Sequence, residues 1–214
     1  MKYWIFSILT AVIAYCFGSL STMVLSSNFV FRSNLRRLGK GSAWLSNFRR
    51  VHGIKGFVKL ALVELVKDVI PMLIGGLLFK SGGNAAAGHA LAAFCLVLGR
   101  MYPAVYEFRG GYATAAIAIA SFFISPSLGA AALLVSVLIT WATRYISLGT
   151  LAGAAVAAIA SILVVDNPLA VRLCFFIAAL TLIRTLPSIS RIASKKEEKL
   201  LFEKDISYKF DENF

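Results

Sequence analysis

Acidic residues are scarce: ten Asp and Glu stand against 22 Lys and Arg in 214 residues, a formal charge of +12. Cysteine occurs three times, as Cys16, Cys95 and Cys174, all far apart in apolar segments and without CxxC or Cys/His spacing. That pattern predicts neither a disulfide nor a metal site. His52 and His89 lack the partner spacing of a catalytic pair, and no Ser-His-Asp set, HEXXH, Walker A loop or paired-carboxylate pattern is present. No cofactor is expected. Polar sequence is also short: 59% hydrophobic residues and a mean hydropathy of +0.80 leave too little to cover a soluble globule, which excludes a soluble enzyme. The pI near 9.9 raises nucleic acid as a partner. With no extended basic domain, zinc spacing or aromatic-basic interleaving, none is expected. Basic loops against an anionic membrane face account for the charge.

What the chain does contain is long apolar runs. A span takes roughly 20 apolar residues, and runs fall at about 3–26, 56–79, 85–106, 112–124, 128–143, 146–165 and 169–186. The fold class expected is all-α, a polytopic bundle of about seven transmembrane helices. The stretch from Ala113 to Ala142 is broken only by Ser125-Pro126-Ser127, which is turn chemistry, so two short helices are expected there. The first run lacks a small-residue cleavage motif and reads as a retained span rather than a signal peptide. Lys and Arg set the orientation. Segment 27–55 carries Arg32, Arg36, Arg37, Lys40, Arg49, Arg50 and Lys55 with no acid, and is expected to be cytoplasmic. Arg109, Arg144 and the tail then fall on the same side. The expectation is a multi-pass plasma-membrane protein with its N-terminus outside and C-terminus inside. Residues 1–193 form the membrane domain and 194–214 a charged cytoplasmic tail, solvated or lying as a surface helix.

Ionisable side chains at membrane depth are costly unless paired or facing water. The second run carries Lys59, Glu64, Lys67, Asp68 and Pro71, with spacings that put Glu64, Lys67 and Asp68 within reach of one another. Either an internal salt bridge or a lysine turned into a polar cavity explains them. The loop at 35–53 joins Gly39, Gly41, Ser42, Ser46 and Asn47 to Arg36, Arg37, Arg49 and Arg50. Inward-turned amides, short hydroxyls and guanidinium forks are what a phosphate site needs, although a plain basic loop has the same composition. A second basic glycine turn, Arg109-Gly110-Gly111, lies on the same expected face, which suggests one anion site.

In their order these segments resemble the membrane acyltransferases often called PlsY, over almost the whole chain from Phe17-Gly18-Ser19 to the tail. Gly39, Gly41, Asn47 and Arg50 match the family's first motif, with Ser46 in place of Thr and Trp44 in place of Gly. In the second helix the family's D-x-x-K-G-x-x-P pattern appears as Glu64, Lys67, Asp68 and Pro71. Gly99, Pro103, Phe108, Gly110 and Gly111 match the next motif, but Arg100 replaces a His and Tyr112-Ala113 a Lys-Gly. Thr185 and Ser188 fall where the family has His and Asn, followed by a matching Arg191 and Glu197. The resemblance implies seven helices and transfer of an acyl group from acyl phosphate to glycerol-3-phosphate in phospholipid synthesis. It implies Gly41, Ser42, Ser46, Asn47, Arg50, Lys67, Arg109, Gly110, Gly111 and Ser188 as substrate-binding residues. Partners are then acyl phosphate, glycerol-3-phosphate or a related lipid phosphate, and membrane lipid. Two other readings fit the residues: a silent paralogue that binds lipid or a partner protein, and a small transporter component supported only by the second-helix charges. Trp44 and Tyr112, bulky where the family is slender, are expected to crowd a phosphate.

Overall fold

The computed structural model describes residues 2–22, 45–80, 82–108, 110–197 and 199–200, with the backbone alone at 2–3, 45–52, 54 and 57. Among these residues the chain is helical throughout. Its α-helices are α1 (Lys2–Ser19), α2 (Leu45–Lys80), α3 (Ala85–Met101), α4 (Thr114–Ile124), α5 (Pro126–Thr143), α6 (Ile146–Val164) and α7 (Pro168–Ala193), and a 3-10 turn occupies Ala104–Tyr106. The protein is a multi-pass integral membrane bundle. Four stretches, Ala85–Tyr106, Pro126–Thr143, Ile146–Val164 and Pro168–Ala193, are each long and apolar enough to cross a bilayer; Trp4–Ser19 and Thr114–Ile124 are shorter apolar helices.

The boundaries have local causes. Pro126 sits in the first turn of α5, where its missing N–H costs nothing, and Ser125 before it is extended. The Ser-Pro-Ser break therefore separates two helices, as its composition indicates. Eleven-residue α4 is only about 16 Å long, half a hydrocarbon core. Asn167 caps α7, its side chain accepting from the amides of Leu169 (3.0 Å) and Ala170 (3.1 Å), with Pro168 following at the first helical position. In α2, Gly53 (φ 66, ψ −169) lies in a region that essentially only glycine enters, so two helical stretches meet there at a kink. The seventh helix runs further than its hydrophobicity indicates. It passes Pro187 and ends at Ala193, with Thr185 and Ser188 on either side of the proline buried against protein rather than facing lipid. Residues 194 and 195 form a turn, not the surface helix expected at the start of the tail; residues 201–214 lie outside those described.

Two compact units make up the chain, one of residues 1–20 and 65–198, the other of 21–64 and 199–214. In the first, α3 is the central helix, packed by α1, α4 and α7, while α5 and α6 pair and α6 leans on α7. Its core is built from small and flexible side chains, among them Ala14, Met72, Ala92, Leu96, Met101 and Ile117. Small residues let backbones approach, the main source of attraction between helices in lipid. At the α1–α3 crossing a Cβ on Gly18 would meet the Leu96 carbonyl and one on Gly99 would lie 3.0 Å from the Ser19 amide. Tyr15 extends this contact, its hydroxyl donating to the Tyr102 carbonyl (2.9 Å) and accepting from the Ala104 amide (3.1 Å). The C-terminal end of α3 is thereby fixed, and the loop that follows starts from a rigid base. The second unit contains the α2 segment up to residue 64, with Leu60 and Glu64 buried.

Candidate functional site

The loop from Tyr102 to Ala113 carries the second motif, and its path is set by backbone chemistry. The Pro103 carbonyl accepts from the amides of Tyr106 (3.1 Å) and Phe108 (2.9 Å), and Glu107 (φ 54) and Phe108 (φ 59) both turn left-handed. Such non-glycine residues each cost of order 1 kcal/mol, so the reversal is held by its surroundings. Gly110 sits where no side chain fits: a Cβ would approach the carbonyls of Arg100 and Met101 and the ring of Pro103. Gly111 is different. A Cβ there would meet nothing within 4 Å, and its amide makes no hydrogen bond among the described residues. On the other side of the turn, an Arg184 Nη2 of α7 donates to the Gly110 carbonyl.

Tyr112 continues the turn into a polar circuit. Its hydroxyl shares a hydrogen bond with Ser188 Oγ and donates to Glu197 Oε1 (3.0 Å). Arg191 closes the ring, donating from Nη2 to Ser188 Oγ (2.8 Å) and from Nε to Glu197 Oε2 (2.6 Å). Burial pushes the Tyr112 phenol above its ordinary value of 10.0, and Glu197 adds to the rise. Glu197 reaches back because Lys195 (φ 56) reverses the chain after α7, with the amides of Lys196 (2.8 Å) and Glu197 (3.3 Å) donating to the Arg191 carbonyl. Ser147 of α6 is buried beside the phenol. Thr185 is fully buried with its hydroxyl unpartnered among the described residues. Next to this cluster Thr114 of α4 and Thr150 of α6 share a hydrogen bond, and Thr150 also donates to the Ile146 carbonyl (2.8 Å).

Ser188, Gly110 and Gly111, identified from the sequence, are thus brought to one place, where α7 meets the loop. Lys67 has a structural engagement of its own. Buried on α2, it donates to the Leu20 carbonyl just past α1 (3.3 Å) and pairs with Asp68 (3.1 Å), which is itself fully buried. A lysine there also complements the negative end of the α1 dipole. The salt-bridge explanation of the second-helix charges is therefore realised, by Asp68. Gly41, Ser42, Trp44 and Arg109 lie outside the described residues, and so do the side chains of Ser46, Asn47 and Arg50 in the first turns of α2. Tyr112 does not stand free in the turn; its ring lies along α7. Sequence reading missed Arg184, Ser147 and Thr150. An Arg three residues before a Pro in an apolar run is a signal for a buried partner; the two hydroxyls carry none, because serine and threonine are common in membrane helices.

Residues 8–195 match the family model described as glycerol-3-phosphate acyltransferase. A glycerol-3-phosphate acyltransferase of Clostridioides difficile (strain 630) is 30% identical over 195 residues, covering 90% of this chain and 95% of the relative. One from Thermoanaerobacter pseudethanolicus is 28% identical over 195 residues, covering 91% and 96%. Among solved structures, the crystal structure of PlsY, an integral membrane glycerol 3-phosphate acyltransferase, is similar in its glycerol 3-phosphate form. The TM-score is 0.75 at 26% identity, over 90% of this chain and 94% of that one. Its lysophosphatidic acid form is equally similar, with a TM-score of 0.75. With α2 to α7, the double-glycine turn and the Tyr112, Ser188 and Arg191 members of the polar circuit inside the matched region, the chain belongs to the glycerol-3-phosphate acyltransferase family.

Proposed function

We propose that this protein transfers an acyl group from an acyl phosphate to glycerol-3-phosphate, forming lysophosphatidic acid at the membrane. The observation that carries this is the likeness to the glycerol 3-phosphate form of PlsY, which extends over 90% of the chain. In the reaction a glycerol hydroxyl oxygen forms the ester bond to the acyl carbon, the bond between that carbon and the phosphate oxygen breaks, and inorganic phosphate leaves with the hydroxyl proton. The protein's work is to hold two phosphates so that hydroxyl and carbonyl meet, and to favour the charge that develops. Gly110 and Gly111 offer backbone to one phosphate, and Ser188 and Arg191 offer a hydroxyl and a guanidinium beside them. Gly41, Asn47, Arg50 and Lys67 are assigned to substrate binding by their match to the family motifs, and Ser42, Ser46 and Arg109 by the hydroxyl and guanidinium chemistry of the two basic glycine turns. The Lys and Arg asymmetry supports a plasma-membrane orientation with the N-terminus outside and the 194–214 tail in the cytoplasm. Maleimide labelling of Ser194→Cys in sealed right-side-out vesicles, in a cysteine-free background, is expected to need permeabilisation; labelling without it contradicts the orientation.

The function is tested by supplying the full chain, purified into lipid vesicles, with acyl phosphate and glycerol-3-phosphate. Lysophosphatidic acid and inorganic phosphate are expected in equal amounts. A folded protein that releases neither contradicts the reading.

A further inference from the structure

The Gly110-Gly111 peptide is gripped from one side only. In a trans peptide the carbonyl of one residue and the amide of the next point in opposite directions, and no cis bond occurs among the described residues. Arg184 donates to the Gly110 carbonyl, so the Gly111 N–H of the same peptide is turned away from Arg184. That amide has no hydrogen bond among the described residues, and the Cβ position of its residue is open. The backbone cannot rotate freely to escape, since Gly110 is wedged between the Arg100 and Met101 carbonyls and the Pro103 ring. Arg184 is half-buried on α7, one turn before Ser188. Its charge also polarises the peptide whose carbonyl it binds, which makes the opposite N–H a better donor to an anion.

We infer that Arg184 is a positioning residue: through the Gly110 carbonyl it fixes the Gly111 amide as a preoriented donor to the acceptor's phosphate. Arg184 itself does not touch substrate. It sets the direction and strength of a backbone donor whose own residue has no side chain to hold it. The inference rests on the proposed acyltransferase reading for the identity of the anion. The same chemistry serves inorganic phosphate, so binding can be followed without turnover.

The test uses the full chain in vesicles, with wild type, Arg184→Ala and Arg184→Lys. Arg184→Ala is expected to raise the glycerol-3-phosphate KM roughly tenfold, the scale of one hydrogen bond involving a charged group, with a much smaller effect on kcat. Added methylguanidinium is expected to restore part of the affinity to Arg184→Ala and to leave wild type unchanged, which a purely structural role would not produce. Where the alanine variant does not fold, Arg184→Lys decides: a point-charge donor without the planar fork is expected to raise KM by a smaller factor. An unchanged KM in a folded variant overturns the inference, and so does a fall in kcat alone without guanidinium rescue. Inorganic phosphate binding, measured by calorimetry, separates the two claims. Wild type that binds phosphate and loses it on Arg184→Ala, but forms no lysophosphatidic acid, defeats the acyltransferase reading and keeps the positioning role. Normal wild-type turnover with Arg184→Ala matching its KM does the reverse.

Discussion

Lys67 and Asp68 are buried side by side on α2, and the two roles available to that lysine separate in a double substitution. Removing one partner of a buried ion pair costs about 3–5 kcal/mol because an uncompensated charge remains, whereas replacing both with apolar residues is often neutral. Lys67→Met and Asp68→Asn are each expected to lower Tm, and Lys67→Met with Asp68→Leu to recover most of the loss. Activity measured on the stable double variant then reports on substrate: if Lys67 also binds phosphate, turnover stays low while Tm returns. A double variant with full activity restricts the lysine to capping α1. Tyr112 gives a pH signature. Its phenol is held above the ordinary value of 10.0 chiefly by burial, and its neutral form is the donor to Glu197. A group whose folded value is raised gives stability that is fully present below the unfolded value and lost as pH rises through the folded one. Wild type is therefore expected to lose stability relative to Tyr112→Phe only above about pH 10. Parallel unfolding curves for the two proteins across that window contradict the circuit.

Helices rather than side chains carry the precision of the site. The α1–α3 crossing fixes the end of α3, and the loop with Gly110 hangs from that end. A Cβ at Gly99 would lie within 3.1 Å of the Tyr15 carbonyl carbon, closer still to its oxygen, and these are backbone atoms that cannot swing aside. Gly99→Ala is thus expected to cost about 1–3 kcal/mol and to reduce activity beyond what the lost folded fraction explains. A variant with unchanged Tm, read by thermal unfolding in detergent, means the crossing is looser than described. Seven helices and the Ser-Pro-Ser break were legible from hydrophobicity and turn chemistry alone. The extra turns of α7 were not. Past Leu186 the sequence turns polar, which ordinarily ends a span, but Ser188 is buried against Tyr112 rather than facing lipid.

Across the whole molecule, the sequence carries the scaffold more openly than the chemistry. Gly110, Gly111 and Ser188 could be picked out from their motifs, and the structure gathers them where α7 meets the loop. Their environment was hidden, because it depends on partners far away in sequence: Arg184 on Gly110, and Glu197 and Ser188 on Tyr112. Tyr112 shows the difference most plainly. The resemblance makes it an obstacle where the family has a slender, cationic turn, whereas the fold engages its hydroxyl with Ser188 and Glu197. The Gly111 side of the turn stays open. That opening matters most for function, since glycerol-3-phosphate needs backbone it can approach. The most direct test is Gly111→Ala, a substitution for which the protein itself has room. The glycerol-3-phosphate KM is predicted to rise roughly tenfold, because the added methyl bars the phosphate from an amide that alanine still carries and so costs one charge-assisted hydrogen bond, while Tm stays at the wild-type value. An unchanged KM in that variant places the acceptor phosphate elsewhere and contradicts the account.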